Sequence, residues 1–203
     1  MGLKVQKQQG NDRHKIKTMK QNKLNLGCGN DYRKGWVNVD INKEVKADWH
    51  MDIEEGLPLF SDNSFSLVEL DMCLEHTKNV AFVMDEVWRV CKPKGIVEIW
   101  VPHCGGVYAL QHLGHKSYYG IGTLDVFKPT GAFTGERIGK ARFNIIEEKL
   151  VYWSHNSANY RIFSVLLNPV DLLSNFGRTW QKCIEKFVPL RYDEIYYKLE
   201  AIK

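Results

Sequence analysis

Three successive apolar runs stop at residues that can hold a ligand. Leu24-Asn25-Leu26 runs into Gly27-Cys28-Gly29-Asn30, Gly35-Trp36-Val37-Asn38-Val39 stops at Asp40, and Ala47 to Met51 closes at Asp52. A Gly-x-Gly turn permits positive φ and lets backbone approach a ligand closely, because no Cβ intervenes; a tight structural turn explains it equally well. Asp40 can accept two hydrogen bonds from vicinal ribose hydroxyls. Asp52 can accept from an adenine exocyclic amine, and Ile53 beside it offers an apolar face for the ring. Either aspartate alone could be a helix cap or a loop acid. Together, at consecutive strand ends, they point to a nucleoside ligand.

The elements that must position these residues are legible. Leu24–Leu26, Gly35–Asp40 and Ala47–Met51 read as strands, and Phe65 to Leu70, after the turn Ser61-Asp62-Asn63-Ser64, reads as a fourth. A helix follows: Asn79 is its N-cap, Val80, Val83, Met84, Val87 and Trp88 form its apolar face, and Pro93 and Gly95 terminate it. Ile96 to Val101 is the fifth strand, ending at Pro102 and His103. Strand, helix and strand in this order form a crossover unit, so the expectation is an α/β fold on a mostly parallel sheet. Ligands of such sheets lie beyond the carboxyl ends of the strands. Residues 104 to 142 read as an irregular excursion that could act as a lid. Phe143 to Trp153 returns to strand, Leu172, Leu173, Phe176, Trp180, Ile184 and Phe187 mark a helical region, and Ile195 to Ile202 is a final strand.

With 203 residues, 44% of them hydrophobic, one well-buried core is expected. Residues 1–23 carry seven basic side chains against Asp12, so that arm is +6 and the remaining chain −2. A basic arm can bind nucleic acid or an anionic surface, or simply be a flexible, solvated leader. The expected organisation is this arm followed by a single domain over 24–203. No apolar run reaches signal-peptide or membrane-span length. The cysteines, Cys28, Cys73, Cys91, Cys104 and Cys183, are odd in number and contain no C-x-x-C pair, which argues against a disulfide framework and a structural zinc site and for a cytoplasmic location. No metal-ligand set is read from the sequence.

Several segments in order carry a family resemblance: Leu24 to Asn30, Val37 to Asp40, Leu57-Pro58-Leu59-Phe60-Ser61-Asp62-Asn63-Ser64-Phe65, Leu74-Glu75-His76, and Trp88 to Gly95. They resemble the class I S-adenosylmethionine-dependent methyltransferases, in the type 11 branch. The resemblance implies a Rossmann-like sheet of seven strands with an antiparallel last strand and helices on both faces. It implies S-adenosylmethionine as cofactor, with S-adenosylhomocysteine as product. Gly27 and Gly29 would then line the methionine part, Asp40 the ribose, Asp52 with Ile53 the adenine, and Leu70, Asp71 and Met72 would border the sulfonium; Asn25, Cys28, Ile41 and His76 complete the expected cofactor-binding set. The chain departs from the family in two places: only a short loop separates Gly29 from the strand ending at Asp40, and Lys94 stands where the family often has a second glycine.

Methyl transfer is an in-line displacement, so the protein mainly positions donor and acceptor and excludes water. A hydroxyl acceptor benefits from a general base. Candidates are His103, His115 with neighbouring His112, and Asp71, whereas His76 also reads as a residue that hydrogen-bonds a loop. The segment His115-Lys116-Ser117-Tyr118-Tyr119 resembles a loop feature of glycan-modifying members, and its tyrosines either stack on an acceptor or anchor the loop. The expected partner is a small-molecule acceptor, such as a sugar or a glycan or lipid precursor. The alternatives are a nucleic-acid acceptor steered by the basic arm, and a non-catalytic cofactor-binding module. A nicotinamide dehydrogenase is disfavoured because Tyr32 takes the last glycine position of G-x-G-x-x-G.

Overall fold

The computed structural model describes residues 21–132, 135–152, 175, 177–187 and 192–203. Most of the basic arm, together with Trp153, Leu172, Leu173 and Phe176, lies outside the described residues. The strands are β1 (Lys23–Leu26), β2 (Val37–Asp40), β3 (Trp49–His50), β4 (Phe65–Asp71), β5 (Cys91–Pro102), β6 (Phe143–Val151) and β7 (Glu194–Ala201). The helices are α1 (Val80–Val90), α2 (Val107–Gln111) and α3 (Arg178–Phe187), with 3-10 turns at Ile53–Glu55, Leu74–His76 and Thr123–Phe127. One seven-stranded sheet runs in the order β3-β2-β1-β4-β5-β7-β6.

Strands β1 to β5 pair in parallel, and β7 is antiparallel to both its neighbours. The antiparallel last strand thus agrees with expectation, and it sits between β5 and β6 rather than at the edge. Ile195, Tyr197, Leu199 and Ala201 of β7 are buried, as a strand covered on its inner face requires. On α1 the Asn79 side chain accepts the Phe82 amide at 3.1 Å, and Val83, Met84, Val87 and Val90 are buried at helical spacing. Trp88, half-buried, reaches across to donate from Nε1 to the Ile202 carbonyl at 2.6 Å.

Several expected boundaries shift. Helix α1 stops at Val90, ahead of Pro93 and Gly95, because Cys91 already pairs with Phe65; the register then slips before Leu67 meets Ile96. Lys94 adopts φ +60° inside this irregularity, the left-handed conformation that a glycine takes without strain. The third strand shrinks to Trp49–His50, the only residues of that run paired with β2. The connection 27–36 between β1 and β2 contains no helix, as its length predicted. In α3, Ile184 is buried but Trp180 is 48% exposed, so the expected apolar face is narrower than its sequence pattern. The excursion 104–142 carries α2 and the turn Thr123–Phe127, and it is tied to the sheet where Tyr197 Oη donates to the Gly120 carbonyl at 2.7 Å.

Candidate active site

A cleft of about 450 Å³ opens at the carboxyl ends of the central strands, within the range that holds a nucleoside-sized ligand. Gly27 and Gly29 line it after β1, Asp40 and Ile41 after β2, and Met51, Asp52, Ile53 and Glu54 after β3. Met72, Cys73, His76 and Thr77 follow β4, and Lys116 arrives from the excursion. The structure therefore gathers Gly27, Gly29, Asp40, Ile41, Asp52, Ile53, Met72 and His76 of the sequence-derived set around one space.

Local geometry explains the residue types. The amides of Gly27 and Cys28 both donate to the Val39 carbonyl, at 2.8 and 3.0 Å, which folds the turn back over β2. Gly27 has φ +68°, and a Cβ there would stand 2.4 Å from Cys73 Sγ, so no other residue can bring β1 this close to the chain after β4. Asp40 is 9% exposed and accepts the Gly29 and Asn42 amides on its two oxygens. Ile41 beside it is 64% exposed, an apolar side chain held open at the cleft. Asp52 caps the Ile53–Glu55 turn by accepting the Glu54 amide at 2.8 Å. Met72 takes φ +47°, marking the sharp departure of the chain from β4.

Other members of the set are not among the lining residues. Asn25, 1% exposed, donates from Nδ2 to the Asp31 carbonyl at 2.9 Å and to Asn38 Oδ1, bracing the 27–36 loop from beneath. Cys28 points its thiol toward the Lys46 carbonyl, where burial pushes its pKa up to about 11. Leu70 is wholly buried in the core. Asp71 ends β4 opposite Trp100 and is half-buried. His103, 4% exposed, accepts the Gly105 amide on Nδ1 at 3.1 Å and packs edge-on against Tyr192.

The excursion closes on the far wall. The Lys116 amide donates to the Glu75 carbonyl at 2.7 Å, and Lys116 Nζ lies 3.6 Å from the Glu54 carboxylate. Tyr119 is buried with its hydroxyl 2.8 Å from Ser117 Oγ, so it anchors the loop, whereas Tyr118 is 52% exposed. His76 Nδ1 meets the Gly114 carbonyl at 3.2 Å, and its ring touches those of His112 and His115. Desolvation, together with the nearby charges of His115, His112 and Lys116, holds the His76 pKa below the usual imidazole value.

The sequence reading missed Met51, Glu54, Cys73, Thr77 and Lys116 as lining residues. Each of them adjoins a residue it singled out, so proximity in the chain was the available signal. It also missed Glu75, whose buried carboxyl is pushed up to about 8 by desolvation, with the charges of Asp71 and Glu194 adding to the effect.

Comparison with known proteins bears on the family and the fold. Residues 24–99 match a family described as "Methyltransferase domain". No curated protein matches the chain in sequence. A S-adenosylmethionine-dependent methyltransferase from Archaeoglobus fulgidus is similar in structure, with a TM-score of 0.52 and 16% identity over 93% of this chain and 90% of that one. One from Mesorhizobium loti has a TM-score of 0.52 and 13% identity over 88% of this chain and 89% of that one. Phosphoethanolamine N-methyltransferase 2 from Haemonchus contortus, solved in complex with S-adenosyl-L-methionine, has a TM-score of 0.50 and 16% identity, and the match covers 95% of this chain and 53% of that one. At these identities the neighbours speak for the fold. Residues 24–99 thus match a methyltransferase-domain family, and the chain shares its fold with solved S-adenosylmethionine-dependent methyltransferases.

Proposed function

We propose that this chain transfers a methyl group from S-adenosylmethionine to a small-molecule acceptor, with a sugar or a glycan or lipid precursor as the class to test first. One observation carries the reading: the glycine turn, the diol-binding acid and the adenine-side residues all face a single cleft of nucleoside size. Asp40 receives the ribose hydroxyls, Ile41 and Ile53 cover the adenine, and Asp52 accepts from its exocyclic amine. The methionine moiety lies over Gly27 and Gly29, and the sulfonium points toward Met72 and His76.

In the transfer the S–CH₃ bond breaks as the acceptor's oxygen or nitrogen forms its bond to carbon, and the acceptor's proton passes to a base. The residues' main contribution is orientation and exclusion of water. Asp71 and His115 stand nearest in the chain to the lining residues on the acceptor side; both are proposed groups for that proton, His115 only while its ring holds no metal ion. His103 is proposed to position the chain after β5, given its own bond to Gly105.

The test is calorimetry with S-adenosylmethionine, followed by an acceptor screen with labelled methyl donor. Binding of the cofactor and label transfer to a sugar hydroxyl are expected. Binding of reduced nicotinamide cofactor that excludes S-adenosylmethionine would overturn the reading, and binding without turnover across a broad panel would favour a non-catalytic module.

A further inference from the structure

Three imidazoles converge beside the cleft. His76 follows β4, His112 and His115 come from the excursion, and one ligand-competent atom from each lies within 4.8 Å of the other two. Three points so spaced share a centre no more than about 2.8 Å from each, and side-chain torsions have under about 1 Å to close to reach the 2.0–2.1 Å bonds of a tetrahedral zinc site. The rings of His112 and His115 stack at 4.7 Å, and each lies about edge-on to His76.

The partners of these rings are those of metal ligands. His76 Nδ1 meets the Gly114 carbonyl at 3.2 Å and His115 Nδ1 meets the Ala109 carbonyl at 3.0 Å. A carbonyl can only accept, so each of these rings donates from Nδ1 and leaves Nε2 for a metal, the arrangement that orients metal-bound histidines. His112 differs: its Nδ1 accepts the Gly114 amide at 3.1 Å, so an incoming cation either replaces that contact or shifts the ring proton. A carboxylate is also at hand. Glu75 Oε1 lies 4.0 Å from His76 Nε2, its side chain is 2% exposed, and its Oε2 is buried without a hydrogen-bond partner among the described residues.

We propose that His76, His112 and His115 form a binding site for a divalent transition-metal ion of the zinc type, in the wall of the methyl-donor cleft. Imidazole donors select Zn²⁺, Co²⁺, Ni²⁺ or Cu²⁺ over the oxygen-seeking Mg²⁺ and Ca²⁺. The site joins the chain after β4 to the excursion across 36 residues, so occupancy ties the loop carrying Lys116 to the cleft. Three protein ligands leave a coordination position open, and an oxygen of the acceptor would take it; this last consequence alone rests on the function proposed above.

The test uses the untagged full chain, stripped with a chelator and titrated with Co²⁺ by visible absorption and with Zn²⁺ by calorimetry. One ion per chain is expected, together with a d–d band and a Zn²⁺-dependent rise in Tm. His112→Gln and His115→Ala are each expected to weaken binding by about tenfold or more, and the double variant to lose the band, the Tm rise and the calorimetric signal. Cofactor affinity should stay within about twofold in these variants. His112 is exposed, so His112→Gln is a conservative check if the double variant does not fold. Full binding retained in folded variants, or Mg²⁺ bound as tightly as Zn²⁺, would overturn the site and leave only a packed cluster of three rings. Ion binding without S-adenosylmethionine binding would support the metal site and refute the donor cleft.

Discussion

Asp40 Oδ2 accepts the Gly29 amide at 2.7 Å, so the acid that ends β2 clamps the glycine turn that ends β1. Its other oxygen takes the Asn42 amide at 2.8 Å. Each carboxylate oxygen keeps a further lone pair, so a diol can be received on atoms already held in place. Such pre-orientation lowers the cost of ordering the site when a ligand arrives.

Asp40 therefore has two separable roles. Asp40→Ala is expected to weaken S-adenosylmethionine binding by about 1 to 3 kcal/mol through lost charge-assisted hydrogen bonds, and to lower Tm as well. Asp40→Asn retains one carbonyl acceptor for a loop amide, so it should lose affinity with a smaller fall in Tm. Calorimetry and thermal melts on both variants decide this, and unchanged affinity in both would remove Asp40 from the ligand.

Glu86 of α1 holds the chain that follows the Ile53–Glu55 turn. Its carboxylate accepts the Leu57 amide at 2.8 Å and two Arg89 bonds at 2.8 Å, while Arg89 also donates to the Leu57 and Phe60 carbonyls. The bonds from Arg89 hold the Glu86 pKa below its usual 4.5, against the opposing effect of desolvation. The folded chain therefore binds fewer protons than the unfolded one between the two pKa values, so this stabilisation is complete above about 4.5 and disappears as pH falls through the folded value. Glu86→Gln should cost about 1 to 3 kcal/mol at pH 7. Urea melts should show the gap from the parent narrowing at pH 3.5, and a gap independent of pH would refute the linkage.

The two adjacent tyrosines should separate cleanly. Tyr119 is 1% exposed and bonded to Ser117, so Tyr119→Ala is expected to cost about 3 to 5 kcal/mol, as loss of a large buried aromatic does. Tyr118→Ala, on the surface, should leave stability within about 0.5 kcal/mol. If Tyr118 stacks on the acceptor, its removal raises acceptor KM with cofactor affinity unchanged; steady-state kinetics with an acceptor found in the screen provide the check.

What the sequence by itself determined was local. The Gly27 turn, the acids at Asp40 and Asp52, the Asn79 cap and the apolar face of α1 all depend on backbone sterics, strand termination and helical spacing, which a few neighbouring residues set. The parallel sheet followed because strand, helix and strand connect in one allowed hand. Only the tertiary structure decided which side chains line the cleft. Asn25, Cys28 and Leu70 point into loop and core, while Thr77 and Lys116 face the cleft. It also decided that β7 inserts between β5 and β6, and that His76 meets His112 and His115 from a distant part of the chain. The physical reason is the same in each case: pairing register and loop closure depend on contacts between remote segments, and no local preference encodes them.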